Sequence, residues 1–436
     1  MIAVCIVGSG PSGFFAADAI LRKMPDAGID ILDRLPTPFG LVRGGVAPDH
    51  QGTKSIARQF ERVCLKPNVR FLGGVTLGRD VSYEELKQVY DVVILALGCA
   101  EDRTLGVPGE RLPGVYGSAA FVGWYNGHPD HRDLAPLLDR SAVAIVGNGN
   151  VALDVARVLA KTTVEMASSD LCRHAAEAIA AAPLTDIHVI GRRGPAQASF
   201  TPAELAELGT LERAEPMVDP ACLADVRDAA GDRVREKNIE ILRGFASRGT
   251  AGKPVRIHLA FHAAPQAVLG TDRVAGIRLA RTHIGQATAT GETFDLPVGA
   301  VVSCIGYRSQ PIPGLPFDEA RGIIRNDDGA VEPGVYAVGW GKRGPSGTIP
   351  TNRADSIAVV GKSLRAIKTG EAAKEGGGAL DRMLAARGVT PVTFADWQRI
   401  SAAEVARAPA GRPREKFTRI EEMVSISGSG RTDGAR

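Results

Sequence analysis

Apolar runs that stop at a glycine recur along the chain. Residues 2–7 (IAVCIV) end at Gly8, 91–98 (DVVILALG) end at Gly98, 142–146 (AVAIV) end at Gly147, and 334–340 (GVYAVGW) contain Gly339. Runs this short that do not alternate with polar residues predict strands buried on both faces, as in a parallel sheet. A helix-like stretch over 14–24 follows the first run, and GIDILDR (28–34) reads as the next strand. The pattern then restarts. After AVAIV, the residues Val151, Val155, Val158 and Leu159 share one helical face, and DIHVIGRR (186–193) is again a strand. Two strand–turn–helix–strand units predict an α/β fold with two Rossmann-like dinucleotide-binding domains. Joins near 100–108 and 303–310, with a late strand at 334–340, predict that one domain is inserted into the other. The expected division is 1–103 with 306–436, and 104–305. Residues 35–54, rich in glycine and proline, read as a long functional loop, and the last dozen residues are expected to be mobile.

Bulk properties narrow the classes. The 436 residues suffice for two domains, and 44% hydrophobic with 23% charged residues is ordinary for a globular protein. A net charge of +3 argues against general nucleic-acid binding. None of the six cysteines forms a Cys-x-x-Cys pair, so a redox dithiol is not expected, their spacing gives no zinc site, and a reducing compartment is expected. The eight histidines look scattered and no metal-ligand cluster is expected. A strand at the very start leaves no room for a leader, and no apolar run nears the length of a membrane span; the expected location is the cytoplasm.

The chemistry lies in the two glycine turns. In Gly8-Ser-Gly10-Pro-Ser12-Gly13, Gly8 permits a tight turn, Gly10 lets a pyrophosphate approach the backbone, and Gly13 lets the helix sit close to the strand. The helix N-terminus adds free N–H groups. Asp33 closes the next strand, where a carboxylate binds ribose hydroxyls. The second turn is Gly147-Asn148-Gly149-Asn150-Val151-Ala152, and its next strand is closed by Arg192 and Arg193 instead. Two guanidinium groups there attract a 2′-phosphate and favour NADPH over NADH. Two dinucleotides in one chain imply a bound flavin that exchanges hydride with a nicotinamide, chemistry that asks for stacking and positioning.

At this point the chain resembles adrenodoxin reductase and its bacterial relatives, the mycobacterial-type ferredoxin–NADP reductases. The strings that carry the resemblance include VGSGPSGFFAA, LPTPFGLVRGGVAPDH, GNGNVALDVARVL, VIGRRGP, FTPAEL, VGWGKRGPSGTI and GRPREKF, in the family's order from residue 3 to about 417. The resemblance implies FAD contacts from Ser12, Asp33, Gly40, Leu41, Leu77, Trp340, Gly347, Thr348 and Ile349. It implies NADP contacts from Asn148, Gly149, Asn150, Val151, Arg192, Arg193, Glu204 and Gly347. It also makes His50 and Asp154 candidates for a proton network near the flavin, beside the plainer reading of a structural hydrogen bond.

Two departures stand out. Asp33 occupies a place where relatives usually carry Glu, and Ala206 a place where mitochondrial members carry a basic residue for docking. Arg233, Arg235, Lys237 and Arg243 are an alternative basic face for an acidic ferredoxin-type partner. The expected function is hydride transfer from NADPH to FAD, followed by single-electron transfer to an iron–sulfur protein, by a chain that the resemblance makes monomeric. A flavin oxidoreductase acting on a small molecule such as a quinone, and an electron-transfer subunit of a larger complex, are the other readings.

Overall fold

The computed structural model describes residues 2–224, 226, 231–283, 287–367 and 373–428. Most of the tail expected to be mobile, residues 429–436, lies outside the described residues. The chain divides into two compact units, Met1–Glu101 with Tyr307–Arg436, and Asp102–Gly306.

The sheet of the first unit has six strands, in the order Ala330–Glu332, Val335–Ala337, Val92–Leu95, Ala3–Val7, Gly28–Asp33, Val69–Gly73. All neighbours are parallel except the edge hairpin Ala330–Glu332 with Val335–Ala337. The unalternated apolar run of the first strand now has its reason. Val4 and Ile6 enter one core with Phe14 and Phe60, whereas Ala3, Cys5 and Val7 enter another with Leu86 and Leu380. Both faces are covered, so successive side chains are both apolar. The first helix, Pro11–Lys23, begins with proline at a position that has no intrahelical N–H to lose. The segment 35–54 is not all loop: it holds the short helices Leu41–Gly44 and Gln51–Lys54. Its glycines and prolines masked them, since four-residue helices carry no readable periodicity.

The second unit repeats the plan. Its six parallel strands run Val115–Gly117, Ala300–Ser303, Ala142–Val146, Asp186–Ile190, Val255–Ala260, Ala214–Met217. Pro216 sits in the last of these, at the sheet edge, where a missing N–H costs least. Val143 and Ile145 face a core with the helix Asn150–Ala160. Ala144 and Val146 face a second core, covered by an antiparallel sheet of Ala263–Gly270, Val274–Thr282 and Ala289–Leu296. That three-stranded sheet replaces the helix that a plain doubly wound plan would put on this face. Among the described residues no helix is long and apolar enough to cross a membrane, and all six cysteines are free thiols.

Candidate functional site

The two glycine turns superimpose in their chemistry, bond by bond. The N–H of Gly8 donates to the Leu32 carbonyl at 2.8 Å, and that of Gly147 to the Ile190 carbonyl at 2.8 Å. Both glycines have positive φ, 111° and 137°. A Cβ on Gly8 would lie 2.3 Å from the Ala96 carbonyl oxygen, and one on Gly147 2.3 Å from that of Cys304. Gly13 is equally constrained, since its Cβ would meet the Gly8 carbonyl oxygen at 2.1 Å; Ala152 holds the matching place in the second turn and is fully buried.

Gly10 differs from these. Its Cβ would meet nothing within 4 Å, and at Gly149 only Ser199 Oγ comes near, at 3.4 Å. The protein's own packing therefore explains Gly8, Gly13 and Gly147 but leaves Gly10 and Gly149 unexplained. Each of the latter caps a helix with no side-chain hydrogen bond to the cap. An open backbone at an uncapped helix N-terminus fits a phosphate group.

The closing residues diverge. One Asp33 carboxylate oxygen accepts from the N–H and the hydroxyl of Ser9, and the other from the Leu35 N–H at 3.0 Å. Burial pushes the Asp33 carboxyl upward, opposed by these three donors. A carboxylate offers about four acceptor positions, so one remains for an outside hydroxyl. Arg192 and Arg193 are exposed, and their guanidinium groups make no ion pair among the described residues.

Other predicted residues of the first unit gather round its turn. The Phe39 N–H donates to the Ser9 carbonyl at 2.9 Å, and a Cβ on Gly40 would lie 3.0 Å from Gly10 Cα, so this loop rests on the turn. Leu41, next along, is 44% exposed, unusual for leucine beside a built site. A Cβ on Gly339, at φ 67°, would lie 2.1 Å from Ser12 Oγ, and Ser356 donates to the Ser12 carbonyl at 3.0 Å. Trp340 is half-buried, stacks against Tyr307 at 6.0 Å, and donates from Nε1 to the Ser346 carbonyl at 3.1 Å. Gly347 and Thr348 are exposed and lead into the helix Ile349–Arg365, which Ile349 opens. Leu77 is buried among Leu32, Leu72 and Val75. His50 opens the helix Gln51–Lys54 and is half-buried.

In the second unit the asparagines of the turn fasten a neighbouring segment. The Asn148 carbonyl accepts from the Ser199 N–H at 2.8 Å, and Asn150 Oδ1 from the Thr201 N–H at 2.8 Å. This holds the start of the helix Pro202–Glu207, which carries Glu204. Val151 is half-buried in the first turn of its own helix. Arg157, on that helix, is fully buried and reaches Asp154 at 2.7 Å, Glu204 at 3.2 Å and Glu207 at 3.3 Å. Burial pushes the Glu204 carboxyl up, against the pull of Arg157. The basic helix Arg233–Ser247 is less bare than its sequence suggests: Arg235 pairs with Asp232 at 3.2 Å and Lys237 with Glu240 at 2.9 Å, whereas Arg233 and Arg243 are exposed.

Sequence reasoning missed several supporting groups. Asp355 accepts from the Gly339 N–H at 2.7 Å, from Lys342 at 2.9 Å and from Arg343 at 3.2 Å, fixing the turn round Trp340. The fully buried Glu404 accepts from Arg43 at 2.9 Å, Arg414 at 3.1 Å and the Phe417 N–H at 3.0 Å, and Arg43 lies over the Trp397 ring. Burial alone would raise the Glu404 carboxyl, yet the two arginines hold it below the usual range. The glycine-free runs around Asp355 and Glu404 gave no signal beyond a charge on a helix. The histidines are also not all scattered: strand pairing sets His258 beside His188 and Asp186, against the expectation of no metal-ligand cluster.

Comparisons with known proteins bear on the family and the fold. The chain is 42% identical to the NADPH-ferredoxin reductase FprA of Mycobacterium tuberculosis, over 97% of this chain and 98% of that protein. It is 40% identical to the mitochondrial NADPH:adrenodoxin oxidoreductase of Bos taurus, over 98% and 92%. The solved structure of Mycobacterium tuberculosis FprA in complex with NADPH matches with a TM-score of 0.94 at 41% identity, covering 98% of this chain and 100% of that one. Residues 2–345 match the pyridine nucleotide-disulphide oxidoreductase family, and with two glycine turns of one design and relatives similar from end to end, the chain belongs to that family.

Proposed function

We propose that the chain is an FAD-dependent oxidoreductase that takes electrons from NADPH and delivers them singly to a ferredoxin-type iron–sulfur protein. The observation that carries this reading is the unequal pair of turns: one design of backbone, closed by a carboxylate in the first unit and by two free guanidinium groups in the second. The near full-length similarity to an NADPH-ferredoxin reductase and an NADPH:adrenodoxin oxidoreductase supports the choice of donor and acceptor.

In this reading the first unit, Met1–Glu101 with Tyr307–Arg436, holds FAD. The backbone from Gly8 to Gly13 takes the pyrophosphate, and Asp33, held by Ser9 and Leu35, takes ribose hydroxyls. Gly40, Leu41, Leu77, Trp340 and the turn from Gly347 to Ile349 bound the rest. Asp102–Gly306 holds NADPH. Gly147–Ala152 receives its pyrophosphate, Arg192 and Arg193 its 2′-phosphate, and Glu204 is held in place by Arg157. When bound, the flavin supplies the exchange between two-electron hydride chemistry and one-electron transfer. The chain's own share is to bind, orient and exclude water. His50 and Asp154 are the candidates for moving a proton. Docking of an acidic acceptor falls to Arg233 and Arg243, since Arg235 and Lys237 already have acidic partners on their own helix. A reducing compartment such as the cytoplasm suits six free thiols, and the working form is a monomer.

The test is NADPH-driven reduction of a panel of ferredoxins by the purified yellow protein, with salt titrated. Rapid, salt-sensitive reduction of at least one ferredoxin is expected. Rapid NADPH oxidation by quinones with no ferredoxin reduced would overturn the choice of acceptor.

A further inference from the structure

In the sheet of the second unit, the strands Asp186–Ile190 and Val255–Ala260 pair in parallel, with His188 opposite His258 and Asp186 opposite Arg256. Residues two apart share a face. Ile187, Val189, Ile257 and Leu259 fill the core on one side. Asp186, His188, Arg256 and His258 therefore share the other. Toward the C-terminal ends of the strands, that second face is covered by the antiparallel sheet. Toward the other end it carries the half-buried Asp186, His188 and His258 and the exposed Arg256.

The two imidazole rings stack with centroids 4.4 Å apart and planes within 11°. His258 Nε2 lies 2.7 Å from Asp186 Oδ1. One ligand atom from each of Asp186, His188 and His258 falls within 4.8 Å of the others. Ala144, the register partner of His188 on the next strand, adds only a methyl group beside the cluster. On the far side Met217 is the register partner of His258.

We propose that Asp186, His188 and His258 form a binding site for a divalent zinc-class cation, separate from both dinucleotide turns. Two imidazoles and one carboxylate, with a water as fourth ligand, make a tetrahedral donor set that zinc accepts. The strands bring the three side chains within reach of one another, and the two stacked rings would turn about their side-chain torsions so that one nitrogen lone pair from each converges on the metal. Arg256 is the competitor: its guanidinium lies 2.9 Å from Asp186 and is half exposed. A metal would displace it from the shared oxygen.

This competition makes the proposal testable against a purely structural ion pair. Isothermal titration of the FAD-loaded protein with Zn2+ should give one site per chain. His188→Ala and His258→Ala should each weaken it by about 10- to 100-fold or more, and the fold-conserving His258→Gln should weaken it as well. Arg256→Ala should tighten it. Electron paramagnetic resonance of added Cu2+ should show coupling to two nitrogens, lost in the double histidine variant. Zn2+ binding that persists in the double variant, or that Arg256→Ala leaves unchanged or weakens, would overturn the proposal, as would absence of a site in the parent protein.

Discussion

The helices that follow the two glycine turns start alike and then part. Pro11–Lys23 and Asn150–Ala160 both leave a glycine cap without a side-chain bond, and both sit against a strand through Gly13 or Ala152. Past that point the first helix buries Phe14 and Phe15, which pack with Phe60; Phe14 and Phe60 also meet Phe39, and Trp397 closes on Phe39. The second buries Leu153 yet also carries Asp154 and the fully buried Arg157. One helix is tied to its loop by aromatic contact, which adapts in small steps. The other is tied to Glu204 and Glu207 by charge, which fails abruptly when a partner is lost. The same backbone device thus serves two supports: one tolerant, one exacting.

The comparison breaks first at the turns themselves. Gly8→Ala and Gly147→Ala each force a positive φ and a carbonyl clash, strain worth about 100-fold or more in binding. Gly8→Ala should yield protein with little bound flavin by visible absorbance. Gly147→Ala should stay yellow and lose its reduction by NADPH in stopped flow. Loss of flavin from both would show that the turns do not serve separate ligands. Next in size is Arg157→Met, which takes the buried cation away from three half-buried carboxylates and should cost about 1–3 kcal/mol in denaturant unfolding. Asp18→Ala, at the matching place on the first helix, removes only an exposed pair with Arg22 and should cost less than about 0.5 kcal/mol.

A smaller effect is expected at the arginine pair. Arg192→Ala and Arg193→Ala should each raise the KM for NADPH about 10- to 100-fold, the worth of a lost charged hydrogen bond, and leave that for NADH nearly unchanged. Equal losses for both nucleotides would remove the 2′-phosphate from the assignment. The smallest is a slope. The Glu404 carboxyl is held below its ordinary range by Arg43 and Arg414. Its contribution is therefore complete above the unfolded carboxylate pKa, near 4.3, and is lost as pH falls through the lower folded value. Stability measured from pH 6 down to 3 should fall less steeply in Glu404→Gln than in the parent.

Much of this was legible in the sequence because it is written in local terms. A glycine that must turn and a charge that closes a strand are visible within a few residues of one another, whereas the first helix starts at Pro11, three residues before the apolar pattern that announced it. What stayed hidden depends on pairing across the chain. Asp355 and Glu404 look like surface acids until Gly339 and Arg43 arrive beside them. His188 and His258 are far apart in sequence, and only strand register brings their rings together. The antiparallel sheet over 263–296 was missed for another reason. Its central strand buries one face and part of the other, so the alternation is blurred.

The strand Val92–Leu95 has Ala3–Val7 on one side and Val335–Ala337 on the other. The second of those neighbours lies beyond the whole of Asp102–Gly306. On the ribosome, the inserted unit has all its strands before the first unit can complete its sheet. Through that interval one edge of an apolar strand in the nascent chain waits unpaired, a hazard for mispairing with other chains. Synthesis speed and chaperone supply, more than the stability of the finished fold, should therefore govern the yield of this protein when it is overproduced.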